Sequence, residues 1–199
     1  MMITRPRLSL VLTATILLTS LNAAWSSEPT DTVQGAIQRV FDTSSVEKIK
    51  TAPAAERRAQ IRQVAESLFD FRDMAHRSLG PRFEELGAAD QDEFVQLFTN
   101  LIAASYMGKV EAYAGEPIQY LDETVNGTDA RVASRLVTTK GSQVNVDYRL
   151  HRADNRWTVY DVVIDGVSLV ENYRMQFSRL IQRTSFAELL KTLRAKAGS

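Results

Sequence analysis

The chain has 199 residues with 24 basic and 24 acidic side chains, enough for one domain with a buried core. A formal charge of zero provides no basic surface for nucleic acid or for permanent attachment to anionic lipid. No cysteine occurs in it, so we expect no disulfide, no thiolate metal ligand and no lipid-modified N-terminal cysteine.

Residues 1–26 have the pattern of a secretory signal peptide. Arg5 and Arg7 give a positively charged start, and a mostly apolar stretch follows over 8–21. Ala24-Trp25-Ser26 places small residues where a signal peptidase would cleave. Because the apolar stretch is short for a bilayer span, we expect this leader to be removed rather than retained as an anchor.

The mature chain, residues 27–199, is expected to form one domain with a net charge of −2, because removing the leader leaves 22 basic and 24 acidic residues. After a flexible start over 27–32, apolar residues recur at helical spacing over 33–41. A second amphipathic stripe covers 61–69. The segment FDFRDMAHRSLG, residues 69–80, continues as a short helix that a glycine-proline pair ends.

The longest helical pattern in the chain runs from Asp90 to about Tyr113. Asp90 and Glu93 form a capping signal at its start. The apolar residues of this helix make an unusually wide face, from Phe94 to Val110. A face of this kind usually packs into a solid core. Here several apolar surfaces would all have to pack against one small sheet, which favours an internal cavity.

The character of the sequence changes at Gly115-Glu116-Pro117, where short strands begin to alternate with turns. The turns are tight, and Asn126-Gly127 is a standard two-residue hairpin signal. Tight turns join antiparallel neighbours, so we predict a twisted meander. Its strands are predicted over 118–125, 130–138, 144–151 and 157–164.

The run VYDVVIDGVSLVENYR, residues 159–174, predicts a strand that stops at Asp165-Gly166 and turns at once into a helix. Strict alternation would place Val159, Asp161 and Val163 on one face of this strand. The helix is predicted from Val167 to about Arg183, and a last helix over 186–197.

These elements predict an α+β fold in which helices pack on one face of an antiparallel sheet of four to five strands. The helices and the sheet meet over an apolar corner near residues 163–177. That corner is either solid core or the wall of an apolar cavity, and the two interpretations imply different functions.

The sequence contains few residues arranged for catalysis. His76 and His151 are the two histidines and lie far apart in sequence, so a zinc site is not expected. Nucleotide-binding and nucleophile-elbow motifs are absent. Asp161 and Asp165 would lie about 13 Å apart on a strand, which is too far for a glycosidase pair. We therefore predict no enzyme activity, no catalytic residue, no metal and no cofactor, and we expect Asp161 to bond to a nearby arginine.

The sequence resembles the MlaC family, periplasmic phospholipid-binding proteins of the Gram-negative envelope. The segment over residues 69–80 is similar to the family's F-x-x-M-A-x-x-x-L-G element. The strand VNVDYRLHR, followed by a short loop and W-x-V-Y-D-V, fits the family, as does the D-G-V-S turn after it. The resemblance covers essentially the whole mature chain.

The resemblance implies a monomeric periplasmic carrier of one glycerophospholipid. Such a carrier shuttles lipid between an outer-membrane lipoprotein–porin complex and an inner-membrane ABC-transporter complex, and so maintains the lipid asymmetry of the outer membrane. The family's fold buries acyl chains between helices and a curved sheet and leaves the head group outside.

On this basis we expect the acyl chains to contact apolar residues of the long helix, the third strand and the corner after the fourth. The predicted contacts are Leu97, Leu101, Tyr106, Val144, Val146, Tyr148, Val163, Val167 and Val170. Plain core packing is the alternative for each of them. A periplasmic adaptor with a solid core, or a small cone-shaped α+β enzyme, remains an alternative for the whole protein.

Overall fold

A computed structural model describes residues 28–41, 53–113, 115–138 and 141–197. The predicted leader, residues 1–26, lies outside these ranges. The helices before the sheet are α1 (Glu28–Phe41), α2 (Ala54–Leu68), α3 (Phe71–Leu79) and α4 (Ala88–Glu111), with a 3-10 turn at Gly80–Phe83. The strands are β1 (Ile118–Asn126), β2 (Asp129–Val137), β3 (Gln143–Ala153), β4 (Arg156–Ile164) and β5 (Val167–Ser168). The last helices are α5 (Leu169–Arg183) and α6 (Phe186–Ala197).

The five strands form one antiparallel sheet in which the spatial order is the sequence order. The α+β class with a meander is therefore confirmed. The helix predicted from Val167 instead begins at Leu169, because Val167 and Ser168 pair with the end of β4 as a fifth strand. The Ser168 hydroxyl then caps α5 by accepting the backbone N–H of Glu171 at 3.1 Å.

A one-residue bulge interrupts β4. Arg149 and Leu150 are adjacent in β3, yet they pair with Asp161 and Val159, which leaves Tyr160 as an extra residue. An extra residue of this kind reverses the alternation of side chains beyond it. The sequence carries no mark of this bulge.

Because of the bulge, the two halves of β4 follow different alternation patterns. Val162 and Ile164 lie in the same apolar cluster as Val159. Asp161 and Val163 consequently face the other side of the sheet. The alternation predicted from sequence, which put Val159, Asp161 and Val163 on one face, is wrong.

Two apolar clusters form the core. The helical cluster joins α3, α4, α5 and α6 around Phe94, Phe98 and Phe177, whose rings pack at centroid distances of 5.8 to 6.3 Å. The sheet cluster joins α1 and the end of α2 to strands β2, β3 and β4. Helices therefore cover one face of the sheet, as its alternating β3 pattern predicts, and the start of α5 also contacts the other face at the end of β4.

Two helix starts differ from the prediction. α4 begins at Ala88 with Gly87 before it, so Asp90 lies in the first turn and is not the cap; its carboxylate still favours that end of the helix. α1 begins at Glu28, inside the segment predicted to be flexible. The Glu123 carboxylate of β1 accepts the backbone N–H of Thr30 at 2.8 Å and its hydroxyl at 2.6 Å, which fixes this end on the sheet.

Gly80, the residue after α3 and the first of the 3-10 turn, has φ +67° and ψ −147°, a conformation that favours glycine. We expect Gly80→Ala to destabilise the protein by about 1–3 kcal/mol, because the new Cβ strains this backbone. Gly108→Ala, inside α4 with nothing within 4 Å of the added Cβ, should stabilise it by about 0.5–1 kcal/mol. Urea unfolding measures both, and a Gly80→Ala variant as stable as the wild type or more stable would contradict the strain at Gly80.

Candidate functional site

An apolar cavity of about 250 Å³ lies between α2, α4 and the helix-covered face of the sheet. α4 forms its largest wall, with side chains spaced three or four residues apart along one stripe. This wall consists of Thr99, Ile102, Ala103, Tyr106, Met107 and Val110. The earlier part of the same helix, including Phe94 and Phe98, packs into the helical cluster instead. The wide apolar face of α4 is thus divided between solid core and cavity.

The opposite wall comes from α2 and the segment that follows it. Ile61, Arg62 and Ala65 contribute from α2, and Phe69, Phe71 and Met74 contribute from the following residues. That following segment is tied to the sheet, since the Asp70 backbone N–H donates to the Val159 carbonyl at 2.9 Å.

The sheet closes the cavity with Tyr148, Val162 and Ile164, and Leu169 adds the first turn of α5. Burial raises the pKa of Tyr148 well above its ordinary value, so its phenol stays neutral. Burial, and then the nearby Tyr173, also raise the pKa of Tyr106. The two phenols that line the cavity therefore add no charge to it at physiological pH.

Exposed polar bonds join α2 to α4 along the rim of the cavity. The Arg62 Nη2 donates to Asn100 Oδ1 at 2.7 Å. Arg58 Nε donates to Glu111 Oε1 at 3.2 Å. Exposed polar pairs contribute little to stability, so these two helices are held together weakly compared with the packed helical cluster.

Two of the nine residues predicted from sequence, Tyr106 and Tyr148, line this cavity. Leu97 and Leu101 are buried in the helical cluster, on the part of α4 that meets the other helices. Val170 is buried in the same cluster.

The remaining four predicted residues belong to the sheet or its edge. Val146 packs against the sheet cluster, and Val144 is half buried near the start of β3. Val163 lies on the opposite face of β4 because of the bulge. Val167 is 60 % exposed, since it lies in β5 and not inside a helix.

Sequence reasoning did not place α2 in the site, although its stripe of Ile61 and Ala65 was visible as an amphipathic helix. It also missed Val162 and Ile164, which strict alternation assigns to the other face of β4. Met107 and Val110 continue the α4 stripe and could have been found by extending its spacing by one turn.

On the far face of β4, the carboxylate of Asp161 is 2 % exposed and ties the strand to α5. It accepts the Ser168 hydroxyl at 2.7 Å, the Val170 backbone N–H at 3.1 Å and Arg149 Nη1 at 3.1 Å. The predicted bond to an arginine is confirmed. With every oxygen engaged at a helix start, Asp161 acts as a structural brace.

The two histidines lie near acidic side chains at the start of α3. His151 Nε2 is 3.1 Å from Asp70 Oδ2, and its Nδ1 is 3.3 Å from Asp73 Oδ2. Within the described ranges, no group of three or more His, Asp or Glu side chains has an arrangement that could hold a metal ion. Within those same ranges, no helix combines the length and apolar character needed to cross a membrane.

Comparison with known proteins gives one family and one fold. A family model described as "MlaC protein" matches residues 34–195. Among solved structures, the chain is similar to that of the phospholipid-binding protein from Ralstonia solanacearum in complex with a phospholipid. The TM-score is 0.77 at 23 % identity, and the match covers 86 % of this chain and 97 % of that one. This likeness shows a shared fold. No curated protein matches the sequence.

Proposed function

Because the chain belongs to the MlaC protein family, we propose that it is a periplasmic carrier which binds one glycerophospholipid with its acyl chains in the cavity between α2 and α4. The observation that carries the proposal is the composition of this cavity, whose walls are apolar or neutral side chains apart from Arg62. The Ralstonia solanacearum protein, which shares the fold and whose structure is a phospholipid complex, supports it.

The energetics explain why such a carrier is needed. A diacyl lipid that leaves a bilayer exposes about thirty methylenes, and at about 0.8 kcal/mol each this costs on the order of 25 kcal/mol. An apolar cavity replaces most of that lost contact. Binding would therefore follow from burial of the acyl chains and would call for no catalytic group.

The cavity must enlarge to hold its cargo. Its volume of about 250 Å³ lies below the range of about 300–1,000 Å³ for ordinary ligand pockets, and two acyl chains need the upper end of that range. α2 is the wall with more freedom to move. Exposed polar bonds join it to α4 and its end is anchored in the sheet cluster through Leu68, whereas α4 is fixed in the helical cluster by Phe94 and Phe98. We infer that α2 separates from α4 as lipid enters.

We propose that the protein exchanges lipid with an inner-membrane ABC-transporter complex and an outer-membrane lipoprotein–porin complex, and that this exchange maintains outer-membrane lipid asymmetry. The sequence contains no nucleotide-binding motif, so the energy and direction of transport would come from the partners and the carrier would set only affinity.

Native mass spectrometry of the protein purified from the periplasm of the cells that produce it tests the proposal. We expect a population heavier than the polypeptide by the mass of one phospholipid, and extraction should recover that lipid. Protein that is lipid-free after purification, and that takes up no lipid from phospholipid vesicles, would favour an adaptor with no lipid cargo.

A further inference from the structure

Arg62 is the one charged side chain in the cavity wall as the described residues form it. Its side chain is 43 % exposed, so it lies at the rim, where the apolar wall meets solvent. Arginine suits this position, because its hydrocarbon stem packs on apolar surface while the guanidinium stays in water.

The guanidinium of Arg62 has N–H groups that no hydrogen bond uses. Nε donates to Glu66 Oε1 at 2.9 Å and Nη2 donates to Asn100 Oδ1 at 2.7 Å. Across the described part of the chain, Nη1 has no bonded partner, and neither has the side-chain nitrogen of Asn100. One unused donor therefore belongs to α2 and one to α4, on two side chains that a hydrogen bond already joins.

This inference rests on the proposed function. A phospholipid whose acyl chains fill the cavity carries its single phosphodiester charge at the junction of tails and head group, which is the level of the rim. We propose that Arg62, assisted by the side-chain amide of Asn100, binds the phosphodiester of the lipid cargo. Arginine matches phosphate oxygens with two parallel N–H donors, which makes it better suited than a point charge.

Glu66 opposes this binding in the empty protein. Its carboxylate holds the same guanidinium and is itself 51 % exposed, so it competes directly with a phosphate for Arg62. Removing that negative charge should therefore strengthen the binding of phospholipid, and should leave a lipid without phosphate unaffected.

A simpler role for Arg62 is a latch that holds α2 to α4. The neighbouring pair of Arg58 and Glu111 offers a matched control, because it joins the same two helices at 3.2 Å and Arg58 does not line the cavity. A latch changes the access of every lipid to the cavity, whereas a phosphate ligand changes the affinity for phospholipid alone.

The test compares Arg62→Gln with Arg58→Gln, using tail-labelled phosphatidylglycerol and diacylglycerol with identical acyl chains. We expect wild-type protein to bind phosphatidylglycerol more tightly than diacylglycerol. The Arg62→Gln variant should bind phosphatidylglycerol about tenfold more weakly than wild type and should keep its affinity for diacylglycerol. Arg58→Gln should change both affinities equally or neither, and Glu66→Gln should raise the affinity for phosphatidylglycerol alone.

Two results would overturn the inference in different ways. If Arg62→Gln shifts the affinity for both lipids by the same factor, as a latch would, Arg62 is not a phosphate ligand while the carrier function stands. If wild-type protein binds neither lipid, the proposed function fails, and the assignment of Arg62 fails with it.

Discussion

Replacing Ala103 with tryptophan is expected to leave the protein folded and to reduce its phospholipid occupancy by at least tenfold. Ala103 lies in the middle of the α4 wall and is half buried. An indole ring at this position would occupy much of a cavity of about 250 Å³ and exclude the acyl chains. Because the ring fills empty space and displaces no packed side chain, we expect the melting temperature to be maintained or to rise.

Ala104 supplies the matched control. It follows Ala103 on α4 but is exposed and does not line the cavity. Ala104→Trp adds the same indole to the same helix and should leave occupancy unchanged. Lipid per folded molecule, from native mass spectrometry after size exclusion, is the quantity to compare. Equal occupancy in both variants would mean that the acyl chains lie elsewhere.

The second large effect is on stability. Asp161→Ala is expected to destabilise the protein by about 3 kcal/mol, because the Val170 N–H and the Ser168 hydroxyl lose a charged acceptor in a buried site. Arg149 is left without its partner, but it is half exposed and water can replace the carboxylate. Asp161→Asn preserves the shape and should cost less.

Asp122, an exposed aspartate that also pairs with an arginine, is the control for the effect of burial on the contribution of Asp161 to stability. It pairs with Arg131 at 3.6 Å, and its side chain is 61 % exposed. Asp122→Ala should change the free energy of unfolding by less than about 0.5 kcal/mol, since exposed pairs contribute little. Urea unfolding of both variants gives the comparison. A loss below about 1 kcal/mol in Asp161→Ala would show that the first turn of α5 does not depend on this brace.

Local patterns in the sequence were sufficient for most of the fold. Helical spacing located α2, α3, α5 and α6, and turn chemistry located the hairpins of the sheet, because these features depend on residues close in sequence. The start of α1 was missed because it depends on Glu123, which is 93 residues away from Thr30 in sequence. A stabilising contact at that distance leaves no local pattern.

The cavity was harder to predict than the fold. On α4, Leu97 and Leu101 belong to the same apolar face as Tyr106, and no property of the helix says which part meets other helices. The division depends on Phe177 and its neighbours packing against Phe94 and Phe98. Tertiary packing, which a stripe of apolar residues does not encode, determines where the core ends and the cavity begins.

The bulge at Tyr160 had the largest effect on the residue assignments. It moved Val163 to the far face of the sheet and brought Val162 and Ile164 into the cavity wall. A bulge depends on backbone geometry, and the residues of β4 would suit either alternation. A prediction of side-chain direction along this strand was therefore sound up to Val159 and reversed after Tyr160.

The proposed carrier function requires that acyl chains enter the space between α2 and α4. Photocrosslinking shows where they lie, using a phospholipid that carries a diazirine near the end of one acyl chain and mapping the adducts by peptide mass spectrometry. We expect adducts on Ile102, Tyr106 and Ile164, which line the cavity. Adducts confined to the far face of the sheet, near Tyr160 and Arg174, or spread evenly over the surface, would contradict lipid binding in this cavity.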